Sequence, residues 1–167
     1  MGDRYPGTIT IGGDLPRSKL AEFLEVCRDS GAGPDWDGGI PEEVKTEKHL
    51  LALLNREGRL YLMDSQASGG TFDSLMDWLE GNTIAYDAWA DSYCDYEASI
   101  VKFRPGWGKG NILSSTNYRE LIELGPVLKA REALNVGNVH AAMKYLDDVV
   151  GDFKDIPKLP KFRCVDG

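Results

Sequence analysis

RLYLMD (59–64), SQASGG (65–70), TFDSLMDWLEGN (71–82) and TIAYDAWADSYCDYEASIVKFRPG (83–106) follow one another without a break. The first block reads as a strand, the second as a turn, the third as an amphipathic helix and the last as a two-stranded hairpin. Phe72, Leu75, Met76 and Leu79 recur at helical spacing, Thr71 is a good N-cap, and Asp73 sits where the helix dipole favours an anion. Gly81-Asn82 supplies a C-terminal stop. Alternation predicts strands near 83–89 and 96–103, joined around Ser92-Tyr93. In that register Ile84 faces Val101 and Tyr86 faces Ser99 on the core side. Thr83–Lys102, Asp87–Ala98 and Trp89–Tyr96 share the other side.

Charge is concentrated in this stretch. Residues 60–101 hold eight acids (Asp64, Asp73, Asp77, Glu80, Asp87, Asp91, Asp95, Glu97), no Lys or Arg, and seven of the sixteen aromatics. The 167-residue chain has a net charge of −8, whereas residues 101–167 carry eleven bases against eight acids. An acidic centre with a basic C-terminal third argues against direct nucleic-acid binding.

Working outward, Thr8–Ile11 reads as a short strand stopped by Gly12-Gly13. Asp14 and Pro16 suit the start of a helix bearing Leu20, Phe23, Leu24 and Cys27. A glycine-rich loop follows. A second helix opens at Pro41 or Thr46, carries Leu50, Leu51, Leu53 and Leu54, and closes at Gly58. Beyond Pro105 the pattern predicts a glycine loop, a short strand at Ile112–Ser114, and a helix from Asn117 broken at Gly125-Pro126. A further turn then runs to Leu134, and a last helix is capped by Asn138. The fold class is α+β: a small mixed sheet in the order β-α-α-β-α-β-β-α-α, helices mainly on one face. Residues 1–153 form one domain and 154–167 an extended basic tail. The expected core is Leu20, Phe23, Leu24, Phe72, Leu75, Leu79, Ile84, Val101, Phe103, Leu121, Met143 and Leu146.

No apolar run reaches the length of a membrane span, and the N-terminus lacks the regions of a signal peptide. Three scattered cysteines suit a reducing cytoplasm better than a disulfide framework. His49 and His140 have no partners at zinc-ligand spacing, and no calcium loop, Walker loop or nucleophile elbow is present. Neither cofactor nor metal is expected. Pro34-Asp35 with Glu43-Val44-Lys45 spells a nuclease-type metal motif, but the pairs fall in a loop and at a helix start rather than on adjacent strands.

Two groups of residues remain. Asp87, Trp89, Asp91, Tyr93, Asp95 and Tyr96 gather acids and aromatics around the hairpin tip, the chemistry of a patch that recognises a basic partner. Arg104, Trp107 and Lys109 surround G-W-G-K-G, which would suit an anion-binding nest. The segment CDYEASIVKFRPG, within residues 82–106, resembles hairpins in small acidic bacterial and phage accessory proteins, and that resemblance implies no activity. The expected function is protein binding: an acidic module docking a basic surface, such as an anti-CRISPR or antirestriction inhibitor of phage or mobile-element type that mimics nucleic-acid charge. The alternatives are a small enzyme using carboxylates with Arg104 and Lys109 on an anionic ligand, and an oligomer-forming accessory protein. The last would use Trp78, Trp89 or Trp107 at a self-interface, and an exposed helical leucine or tryptophan stripe would favour it.

Overall fold

The computed structural model describes residues 3–36, 38–92, 97–114, 121, 124–150 and 156–166. Within them the fold is α+β. Strand β1 (Arg4–Pro16) is followed by a 3-10 turn, helix α1 (Leu20–Asp29), short helix α2 (Glu47–Leu51), β2 (Leu60–Ser68) and α3 (Asp73–Gly81). The hairpin strands β3 (Ala85–Ala90), β4 (Ser99–Arg104) and β5 (Gly108–Leu113) come next, then α4 (Leu124–Asn135), α5 (Val139–Val150) and β6 (Phe162–Val165). The sheet order is β2-β1-β3-β4-β5. Its pairings are antiparallel except that β6 adds to β1 in parallel.

One face of the sheet carries the main core. Ile9 and Ile11 of β1, Leu60 and Leu62 of β2, and Tyr86 of β3 meet Phe23, Leu24 and Cys27 of α1 and Leu75, Met76 and Leu79 of α3. Phe23, Phe72 and Tyr86 are among the largest fully buried side chains. Each contributes about 1.5–3 kcal/mol through its burial. Phe23 also stacks at a tilt on Trp78, centroids 5.5 Å apart, which ties α1 to α3.

The hairpin has the expected faces but another register. Tyr86 pairs with Phe103 and Ala88 with Val101, where Ser99 and Ile84 were the expected partners. Asp87 lies opposite Lys102, and Trp89 opposite Ile100. The slip is an even number of residues, so every side chain keeps its face. Tyr93 and Tyr96, at the expected tip, lie outside the described residues.

Other boundaries also move. Strand β1 runs on through Gly12-Gly13, because β6 takes over as its partner from Gly13 to Pro16. Asp14 therefore lies in a strand, where it meets Arg163, and does not cap a helix. Gly12 is required there: a Cβ would fall 2.1 Å from the Pro160 carbonyl oxygen. The G-W-G-K-G segment forms the β4–β5 turn and the start of β5, longer than the expected strand at Ile112–Ser114. The C-terminal segment read as a tail is built into the fold, with Leu159, Phe162 and Cys164 buried. Thr46 does cap α2 and Asn138 does cap α5, accepting from Ala141 N–H. Helix α3, by contrast, has no side-chain cap.

Helices α4 and α5 are joined by three residues and pack on each other through Ala130, Ala133 and Ala142, with Tyr145 and Leu146 alongside. Two expected core residues are instead exposed, Leu121 and Met143. Small alanines draw the two helices together, so Met143 of α5 stands outside the contact, whereas Leu121 precedes α4 and belongs to neither helix.

Candidate functional site

The acids of α1 and α3 form one surface. Both helices turn their apolar stripe to the sheet, so helical periodicity sends Glu22, Glu25 and Asp29 of α1 and Asp73 and Asp77 of α3 outward. Trp78 sits between the helices and donates from Nε1 to Glu22 Oε1 at 2.7 Å. Lys19 Nζ lies 2.7 Å from the other Glu22 oxygen. Lys19, then Trp78, holds the Glu22 carboxyl below the usual range.

The one base within α1, Arg28, is held by main chain beside this face. Arg28 donates from Nε to the Ile40 carbonyl and from Nη2 to the Val44 carbonyl at 2.8 Å, tying the 40–44 loop to the helix. Helix α3 contains no base. Among the described residues, Glu25, Asp29, Asp73 and Asp77 are therefore exposed carboxylates without an ion pair. Thr71 donates to Asp73 Oδ1 at 2.8 Å and steadies that carboxylate at the helix start. Between the end of α1 and the start of α3 opens a polar cleft of about 410 Å³, lined by Arg4, Arg28, Asp29, Asp64, Gln66 and Asp73.

The hairpin residues singled out in the sequence are placed differently. Trp89 is buried on the outer sheet face, clustered with Ile100, Ile112 and Ile156. Asp87 shares that face, in a groove of about 400 Å³ with Thr8, Thr10, Tyr61 and Lys102. Asp91 is half-buried and accepts from Ser92 N–H at 2.7 Å. Tyr93, Asp95 and Tyr96 lie outside the described residues.

Arg104 and Lys109 are on opposite faces of the sheet, each facing a carboxylate. Arg104 is buried, its Nη2 2.7 Å from Asp87 Oδ1. Lys109 Nζ reaches Glu80 at 2.7 Å, beside the Tyr86 hydroxyl that donates to the same carboxylate. Burial opposes the Glu80 charge, but Lys109 and Tyr86 together keep its pKa lowered. Burial, and then Glu80, push the Tyr86 phenol up. Trp107 sits half-buried at the turn between them. The three residues thus do not converge on one anion site.

The α1 acids were missed as a site. The signal was available, since Glu22, Glu25 and Asp29 share the helix face opposite Phe23 and Cys27. Residues 60–101 stand out in the sequence because their acids have no Lys or Arg among them, whereas the acids of α1 lie beside Lys19 and Arg28.

Among the described residues no cluster of His, Cys, Asp or Glu is arranged to hold a metal ion, and no helix is long and apolar enough to cross a membrane. No protein-family model, curated protein or solved structure matches the chain.

Proposed function

We propose that this protein is an acidic binding module that docks a basic surface of another protein through the outer face of α1 and α3. The observation that carries this reading is the imbalance of charge on that face. Glu25, Asp29, Asp73 and Asp77 are exposed, Lys19 is matched by Glu22, and the bases left at this face are Arg28 and Arg4, so acids outnumber bases there by two. Asp73 and Asp77 are one helical turn apart, about 6 Å along the axis, so their charges are held in a fixed row. A row of fixed carboxylates on rigid helices presents complementary charge without the entropy cost of ordering a loop. Trp78, half-buried between the helices, adds an aromatic edge to the same surface.

The partner class that suits this surface is a protein whose own site accommodates phosphates, on which the carboxylates would replace nucleic-acid charge. An inhibitor from a phage or mobile element, of anti-CRISPR or antirestriction type, is the narrowest form of this proposal. Its support is the chemistry of the face and the size of the chain.

The test is capture from host lysate with tagged protein at low salt, beside a variant carrying Glu25→Gln, Asp29→Asn, Asp73→Asn and Asp77→Asn. These are surface changes outside the core, so the variant should keep its unfolding midpoint. The reading expects a partner retained by the parent and lost by the variant. A partner held equally by both contradicts it.

A further inference from the structure

We propose that Trp36 is the aromatic anchor of the interface, a ring on which an arginine of the basic partner stacks beside the cleft between α1 and α3. The sign of the partner's charge rests on the acidic-face reading, whereas the anchor rests on how residues 31–39 are built. Among the described residues outside 121–143, Trp36 is the one large apolar side chain that stands exposed, at 38%. The other tryptophans are committed within the fold. Trp78 Nε1 donates to Glu22, Trp89 is buried against Ile100 and Ile112, and Trp107 is half-buried at the β4–β5 turn. The ring of Trp36 has no aromatic neighbour, and its indole N–H no acceptor, among the described residues.

Main-chain bonds hold that ring in solvent. Gly31, at φ 75°, turns the chain out of α1, and its N–H and that of Ala32 return to the Arg28 and Cys27 carbonyls. Met63 N–H donates to the Gly33 carbonyl at 2.7 Å, and Gly33 N–H to the Met63 carbonyl at 3.1 Å. Ser65 N–H then donates to the Trp36 carbonyl at 3.0 Å, which lays the loop along the edge of β2. A Cβ on Gly33 would fall 2.6 Å from the Gly38 carbonyl oxygen, so the two legs of the loop touch, with Trp36 between them. An aromatic ring fixed in this way loses little entropy when a partner covers it, and tryptophans of this kind dominate interface energetics.

The neighbouring charges choose the occupant. Asp35 is exposed beside Trp36 in the chain. Ser65, bonded to Trp36, lies between Asp64 and Gln66, which both line the cleft. Asp64 Oδ1 accepts from Gln66 N–H at 2.8 Å, and Asp64 has no ion pair among the described residues. Around the loop and cleft, Asp29, Asp35, Asp64 and Asp73 outnumber Arg4 and Arg28. An indole set among carboxylates favours a cation. A guanidinium lies flat on the ring while its edge still donates to carboxylates, whereas an ammonium is a compact point charge. Arginine is the partner side chain that fits.

The probes are nona-arginine and nona-lysine peptides, titrated at about 0.15 M salt into the parent, Trp36→Ala, Trp36→Phe and the four-carboxylate variant described above. The parent should bind nona-arginine about two- to fivefold more tightly than nona-lysine, the scale of one exposed cation–π contact. The indole N–H resonance of Trp36, identified by its absence from Trp36→Phe, should shift as nona-arginine is added. Trp36→Ala should bind the two peptides alike, with its thermal midpoint unchanged because the ring lies outside the core, and Trp36→Phe should keep part of the preference. The four-carboxylate variant should bind both peptides more weakly and still prefer arginine. A parent that does not discriminate, a Trp36 resonance that does not move, or a preference that survives in Trp36→Ala overturns the proposal. If the four-carboxylate variant binds both peptides as the parent does while Trp36→Ala loses the preference, the acidic-face reading falls and the anchor stands.

Discussion

Arg104 and Asp87 meet across neighbouring strands β4 and β3, with Nη2 2.7 Å from Oδ1. The rest of the guanidinium is engaged by main chain. Nε donates to the Pro157 carbonyl at 2.8 Å, and Nη1 donates to the carbonyls of Tyr86 at 2.8 Å and Phe103 at 2.9 Å. One buried cation thus joins two strands to the C-terminal segment. Burial of a charge is tolerated because its donors find acceptors at almost every position.

Removing Arg104 leaves Asp87 without its ion-pair partner and three carbonyls without their donor. Arg104→Ala is expected to lower stability by about 3–5 kcal/mol, the scale of breaking a buried ion pair from one side. Urea unfolding checks this. Amide exchange in Phe162–Val165 should accelerate as well, because Pro157 loses its anchor just before β6. An unchanged midpoint would place Arg104 outside the stabilising framework.

Thr83 offers a gain in stability. It is the one non-glycine residue with positive φ among those described, at 57°, directly after α3. A β-branched residue pays a steric penalty in this left-handed region. Thr83→Gly is expected to stabilise the protein by about 1 kcal/mol, since the left-handed conformation costs an L-residue roughly that much. The thermal midpoint should rise. A fall would mean that the Thr83 hydroxyl, which donates to the Asn82 carbonyl, outweighs the backbone penalty.

The Glu80–Tyr86 pair predicts losses at both ends of the pH scale. Folding lowers the Glu80 pKa, so its contribution is present above the ordinary glutamate value of about 4.3 and lost as pH falls through the lower folded value. Folding raises the Tyr86 pKa, so its contribution is present below about pH 10 and lost as pH rises further. Urea midpoints measured against pH should show that Tyr86→Phe lessens the alkaline loss and Glu80→Gln the acid loss. Parallel curves for parent and variants would contradict the assignment.

These relationships divide according to how local their causes are. The helices α1 and α3 and their buried faces were legible, because Phe23, Leu24, Cys27, Leu75 and Leu79 record the helical period directly. The faces of β3 and β4 were legible for the same reason, with Tyr86 inward and Asp87 outward. Their register was not, since a period of two is unchanged by an even slip. Gly12 looked like a strand terminator because its reason lies about 150 residues away, at Pro160. The four residues of β6 are too short and too closely flanked by prolines to show as a strand. Arg104 and Asp87 were assigned to separate sites because only the sheet brings them together. Trp89 reads as a contact residue at a tip, yet the β3–β4 register keeps it within the sheet, opposite Ile100. The α1 acids contribute to the candidate face only once α1 lies beside α3.

The central claim is that exposed carboxylates on α1 and α3 steer a basic partner to this face. The most direct measurement is the association rate with the captured partner, for the parent and the Glu25→Gln, Asp29→Asn, Asp73→Asn, Asp77→Asn variant, between about 0.05 and about 0.5 M salt. The account predicts that the parent associates about tenfold or more faster at the low end, that its rate falls steeply with salt, and that the variant is slow and nearly insensitive to salt. Equal rates with the same salt dependence for both proteins would contradict it.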